Sequence, residues 1–71
     1  MFEMIPVTSS NINAVGYDFK EEVLHVQFKG GKTYIYEGVP RHIYDELMMA
    51  ESVGKYFNQT IKNEYTWTIL I

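Results

Sequence analysis

Residues 24–36 read LHVQFKGGKTYIY, and this stretch decides the fold. Leu24, Val26 and Phe28 alternate with His25 and Gln27. A period of two sets the three apolar side chains on one face of a strand. Gly30 and Gly31 then supply the positive φ angles that a hairpin turn requires. The return run, Thr33 to Tyr36, is β-branched and aromatic, as strands prefer. Tyr34 and Tyr36 share one face and Ile35 takes the other.

Outward from the hairpin, Ile12–Tyr17 (INAVGY) reads as a preceding strand, with Ile12 and Ala14 on one face and Val15 and Tyr17 on the other. Gly16 suggests a bulge or a close backbone approach. Asp18-Phe19-Lys20-Glu21 makes the turn between the two strands, and Thr8–Asn11 makes an earlier one. Residues 2–7 (FEMIPV) carry Pro6, which cannot donate to a ladder, so they read as an edge strand or extended arm. On the C-terminal side, Gly38-Val39-Pro40 ends the hairpin. Arg41–Met49 then presents Ile43, Leu47 and Tyr44, Met48 as one broad apolar helix face. Ser52 is suited to cap a second helix, in which Val53, Phe57 and Ile61 recur every four residues and which ends near Asn63. Residues 65–71 (YTWTILI) are β-rich with two apolar faces, both expected to be covered. The expected class is α+β: a three-stranded antiparallel meander, two short helices on one face, and flanking N- and C-terminal strands.

Seventy-one residues make one domain, residues 1–71. A chain this short buries only about 60% of its unfolded surface. It has no cysteine, so disulfides and thiolate metal ligands are excluded. Two histidines without cysteine make no structural zinc site. With 46% hydrophobic residues, association is the remaining way to add buried surface, and a homo-oligomer through the terminal strands is expected. The net charge of −3 argues against a strongly electrostatic partner such as long DNA or RNA, yet allows a small anion held by a few local cations. No apolar run approaches the roughly 20 residues of a membrane span. No signal-peptide pattern opens the chain, so a cytoplasmic location is expected, in a bacterium or a phage-infected host.

Several pieces occur in a familiar order: Ser9-Ser10-Asn11-Ile12, Gly16-Tyr17-Asp18, Leu24–Phe28, Tyr34-Ile35-Tyr36 with Val39-Pro40, and Ser52-Val53-Gly54-Lys55-Tyr56-Phe57-Asn58. Together they resemble the KTSC domain, named for its occurrence at the C-terminus of some lysyl-tRNA synthetases and found alone in small bacterial and phage proteins. The resemblance runs over about residues 9–61 and leaves the flanks 2–7 and 65–71 outside. It implies RNA binding as one expectation.

The residues themselves offer little for catalysis. His25 and His42 lie in no triad or metal motif, and the pairs Glu21-Glu22 and Asp45-Glu46 are adjacent residues whose side chains diverge. No catalytic residue, cofactor or metal is expected. The start of the second helix is the best candidate site. Ser52 caps it, Gly54 keeps its first turn bare, Lys55 adds a cation, and Arg41 stands in the first turn of the preceding helix. The same features also fit a capped helix packed closely through Gly54. Tyr17, Tyr34, Tyr36, Tyr56, Tyr65 and Trp67 form the second constellation, fitted either to the core or an interface or to stacking a base. The expected function is therefore a non-enzymatic binding module for a nucleotide-like ligand: a free signalling nucleotide, as in a phage-type sequestering protein, or short RNA. Phosphates would sit on Ser52, Gly54, Lys55 and Arg41, and the base against Tyr34, Tyr36 or Tyr56. The other reading is a protein-interaction or regulatory module that uses the tyrosine-rich surface and the apolar ends.

Overall fold

A computed structural model describes residues 3–70. Phe2 and Ile71, the outer ends of the two flanks, lie outside the described residues. The fold is α+β, and the sheet has five strands in sequential order. Strands β1 (Ile5–Pro6), β2 (Ile12–Asp18), β3 (Val23–Phe28), β4 (Thr33–Glu37) and β5 (Trp67–Leu70) are antiparallel throughout. The expected three-stranded meander is thus only the centre of the sheet. Both flanks add a strand to it, because pairing satisfies backbone groups that would otherwise compete for water.

Helix α1 (Arg41–Met49) follows β4, and α2 (Val53–Tyr56) runs on into a π-helical turn, Phe57–Ile61. Pro40 is extended at the cap of α1, and its carbonyl accepts from Ile43 N–H. The second helical segment ends at Ile61, two residues before the expected Asn63, and its final turn is widened.

The register explains the core. Val15, Tyr17, Val26, Leu24, Tyr34 and Tyr36 fall on one sheet face because Val15 pairs Val26, Tyr17 pairs Leu24, and these pair Tyr34 and Tyr36 in turn. Tyr44 and Leu47 of α1 and Val53, Phe57 and Ile61 of the second segment cover that face. No polar or charged residue is buried among the described residues. Each fully buried aliphatic or aromatic side chain contributes about 1.5–3 kcal/mol.

Three local expectations are corrected. The bulge in β2 lies between Ile12 and Ala14, not at Gly16. Ile12 consequently pairs Phe28 and joins Val15 and Tyr17 on the helix-covered face. In the hairpin only Gly31 has a positive φ, at 101°. Gly31 N–H donates to the Phe28 carbonyl and Phe28 N–H to that of Lys32, so the loop is a three-residue turn closed by one left-handed glycine. Finally, β5 is not covered on both faces: Trp67 and Leu70 stay 49% and 54% exposed.

Candidate functional site

Two open cavities flank the start of the π-helical turn. The first, of about 350 Å³, has an aromatic wall built on β3, β4 and that turn. Phe28 ends β3, Tyr34 and Tyr36 project from alternate positions of β4, and Phe57 opens the π turn. The four rings close a cycle. Phe28 meets Tyr34 at 5.3 Å between centroids, Tyr34 meets Tyr36 at 6.4 Å, Tyr36 meets Phe57 at 5.4 Å, and Phe57 returns to Phe28 at 5.6 Å. Three of these contacts are edge-to-face, the arrangement ring quadrupoles favour. Trp67 of β5 extends the row, 5.1 Å from Tyr34. Lys32, Lys62 and Asn58 line the same cavity.

Tyr36 is the most instructive member. It is 3% exposed, and its hydroxyl has no hydrogen-bond partner among the described residues. No side-chain oxygen or nitrogen is both sealed from solvent and unpaired. The hydroxyl therefore keeps contact with solvent, and Tyr36 lines the cavity. Burial, with Tyr34 alongside, pushes its pKa up to about 12, so it is a neutral donor over the physiological range.

The second cavity, of about 550 Å³, lies between the turn preceding β2 and helix α2. Here Ser9 organises the wall. Its Oγ accepts from the N–H groups of Asn11 and Ile12 and donates to Asn11 Oδ1. The turn is held to the hairpin by Lys29 N–H, which donates to the Asn11 carbonyl at 2.9 Å. Ser52 caps α2, its hydroxyl accepting from Lys55 N–H at 3.2 Å. Gly54 is buried against this turn: a Cβ there would stand 2.9 Å from Asn11 Oδ1. Its lack of a side chain serves the packing of α2 on the turn. Asn58 lines both cavities and is their common wall.

The sequence-predicted residues therefore divide. Tyr34 and Tyr36 line the aromatic cavity; Ser52, Gly54 and Lys55 line the polar one. Arg41 joins neither. It pairs with Asp45 at 3.7 Å and lies over the Phe19 ring at 4.9 Å. Tyr56 is also elsewhere: its hydroxyl donates to Glu46 at 2.7 Å, and burial together with that bond pushes its pKa up to about 12. Sequence reasoning missed Phe28, Phe57, Lys32, Asn58 and Lys62. A signal existed in the last two, which stand four apart on a helical segment and so share a face. His25 is half-buried on the opposite sheet face, where burial lowers its pKa, and His42 is exposed on α1. Among the described residues no three of His, Cys, Asp and Glu gather as a metal site.

The fold and these two adjoining cavities define a small α+β domain with an aromatic cleft. The chain belongs to the KTSC domain family, whose model matches residues 8–65. It is 45% identical over 62 residues to a protein of Tsukamurella paurometabola, covering 87% of this chain and 92% of that one. An uncharacterised protein of Stutzerimonas stutzeri is 36% identical over 61 residues, covering 86% of each. A lysine–tRNA ligase of Nostoc sp. is 32% identical over 66 residues, 93% of this chain but 12% of that enzyme. The crystal structure of the KTSC domain protein YPO2434 from Yersinia pestis superposes with a TM-score of 0.95 at 35% identity, over the whole of both chains. No helix among the described residues is long and apolar enough to cross a membrane.

Proposed function

We propose that this KTSC domain is a non-enzymatic binding module, working in the cytoplasm, that takes a nucleotide-like ligand in its aromatic cleft. The observation that carries the reading is the joint presence of four mutually braced rings and two lysines around one cavity. A planar base finds stacking surface there, worth about 1–3 kcal/mol per base in single-strand readers. Tyr36 offers its unpartnered hydroxyl to a ring nitrogen or carbonyl. Lys32 and Lys62, which have no ion pair among the described residues, meet phosphate oxygens. The phosphate position thus moves from the start of α2 and Arg41 to these lysines. A relative of this region lies within a lysine–tRNA ligase, a protein that handles RNA. The excess of acids over bases in this chain favours a free nucleotide over a long polyanion.

Isothermal calorimetry with AMP, ADP, UMP, UDP and a hexanucleotide tests the reading. Binding of at least one mononucleotide is expected, weakened in Tyr36→Phe and abolished in Lys32→Glu with Lys62→Glu. Silence across the whole panel at millimolar ligand sinks it.

A second reading rests on β5. Trp67 and Leu70 are half-exposed on an edge strand that bears no charge. Such an edge invites pairing with another strand, and a second copy joined through β5 is the partner we propose there.

A further inference from the structure

Half of the chain's cations converge on the two cavities, and none of its acids does. Of six lysines and arginines, Lys32 and Lys62 line the aromatic cavity and Lys55 the polar one; none of the nine aspartates and glutamates lines either. In a chain of net charge −3 this is a local reversal of sign, which concentrates anions at the cleft.

The two compartments differ in what they can hold. The aromatic cavity presents flat ring surface. The polar cavity presents hydroxyls and carboxamides and no ring at all. Ser9 and Asn11 spend part of their hydrogen-bonding capacity on each other. Ser52 still has a proton to give, because its oxygen only accepts from Lys55 N–H. Among the described residues the side chains of Ser10, Asn58 and Gln59 have no hydrogen-bond partner. Carboxamides and hydroxyls are donor and acceptor at once, which matches the vicinal hydroxyls of a sugar. A second base would find no stacking surface there.

The backbone also departs from a regular helix at the junction. The second helical segment changes from α to π at Phe57, where Phe57 faces the aromatic cavity and Asn58 forms the shared wall. Such widened turns are uncommon and concentrate at functional sites.

We propose that the two cavities are one bipartite site, and that its ligand is a nucleoside diphosphate carrying a further sugar. This rests on the reading of the aromatic cleft given above. The base stacks in the four-ring cavity and the diphosphate crosses Asn58 between Lys62, Lys32 and Lys55. The terminal sugar enters the polar cavity among Ser10, Ser52 and Gln59. The serines and carboxamides outside the aromatic cleft thereby acquire a role.

Calorimetry on the full chain with two matched pairs, ADP with ADP-ribose and UDP with UDP-glucose, separates this from the simpler reading. The sugar-bearing member of at least one pair is expected to bind about tenfold tighter or better than its diphosphate, as linked contacts bind more tightly than separate ones. Ser10→Ala with Gln59→Leu, both at exposed positions, is expected to abolish that preference while leaving the diphosphate affinity unchanged. Equal affinity within each pair, or a preference that survives the double substitution, overturns the proposal and leaves the aromatic-cleft reading standing. Absence of binding by all four ligands overturns this proposal, while the cleft reading falls only if AMP, UMP and the hexanucleotide are silent as well.

Discussion

The hydroxyl of Tyr17 donates a 2.6 Å hydrogen bond to the carbonyl oxygen of Val39, buried from solvent. Tyr17 sits in β2 and Val39 just ahead of α1, so this bond ties the sheet to the start of the helical layer. The ring is held as well, stacked on Tyr44 of α1 at 4.7 Å and edge-on to Phe19 at 5.0 Å. Tyr17→Phe keeps the ring contacts and strands the Val39 carbonyl. The expected loss is about 1–3 kcal/mol, the cost of an unpaired buried polar group. Urea unfolding measures it, and a midpoint equal to the parent's would show that the bond adds nothing.

Gly54 reverses the usual effect of alanine in a helix. Its helical conformation would let Gly54→Ala gain about 1 kcal/mol from propensity alone. The added Cβ would stand 2.9 Å from Asn11 Oδ1 and 3.1 Å from Ser9 Oγ. Both are ends of side chains, so Asn11 swings aside at the expense of its bond from Ser9. The net expectation is a loss of about 1 kcal/mol, recovered in Gly54→Ala with Asn11→Ala. Thermal unfolding of the three variants decides it; a single Gly54→Ala variant more stable than the parent contradicts the packing role.

Alkaline pH should unfold the domain through its tyrosines. Burial raises the pKa of Tyr17, Tyr36, Tyr44 and Tyr56 above 10.0, that of Tyr36 and Tyr56 to about 12. The unfolded chain therefore releases these protons first, and the folded form holds them. Stability from this source is complete below pH 10 and declines as pH rises from there towards 12. Tyrosinate absorbance should titrate late and in step with loss of structure. The decline should be shallower in Tyr36→Phe, and an identical slope would contradict the shift.

Self-association, if it runs through β5, is sensitive to charge on that strand. Thr68 and Leu70 are exposed, so lysines there cost the monomer little and discourage edge pairing. Sedimentation velocity of Thr68→Lys with Leu70→Lys is expected to give a monomer where the parent gives a larger species. A parent that is itself monomeric at high concentration rules the interface out.

How much of this was legible beforehand varies with the range of the interactions involved. Helix α1 is found with its bounds, because nine consecutive residues carry their own amphipathic period. The Ser52 cap is equally local, a hydroxyl three residues from the N–H it accepts. The central hairpin is found for the same reason. Its loop differs in detail because one left-handed glycine suffices in a three-residue turn. The bulge falls at Ile12–Ala14 rather than at Gly16, since nothing within β2 announces which residue its partner strand will leave unpaired.

The site was half legible. Tyr34 and Tyr36 share a face in the sequence pattern and line one cavity, while Lys55 lines the other. Arg41 stood out equally in the sequence, but the structure gives it to Asp45 and Phe19. Phe28, Lys32, Phe57 and Lys62 are not joined to the site by sequence because they come from the end of β3, the hairpin loop and the π-helical turn with the residue after it, far apart along the chain.

The sequence by itself determined what short-range chemistry can determine: periods of two and of about four, a capped helix start, a glycine turn, and the family to which these pieces in this order belong. Only the tertiary structure decided that the flanks complete a five-stranded sheet, that four rings close around a cavity, and that two lysines line it without an acid. Those facts depend on which strand edges pair and which helix face turns inward. Such choices are settled by burying the whole apolar surface at once, and no local window of the chain contains that sum.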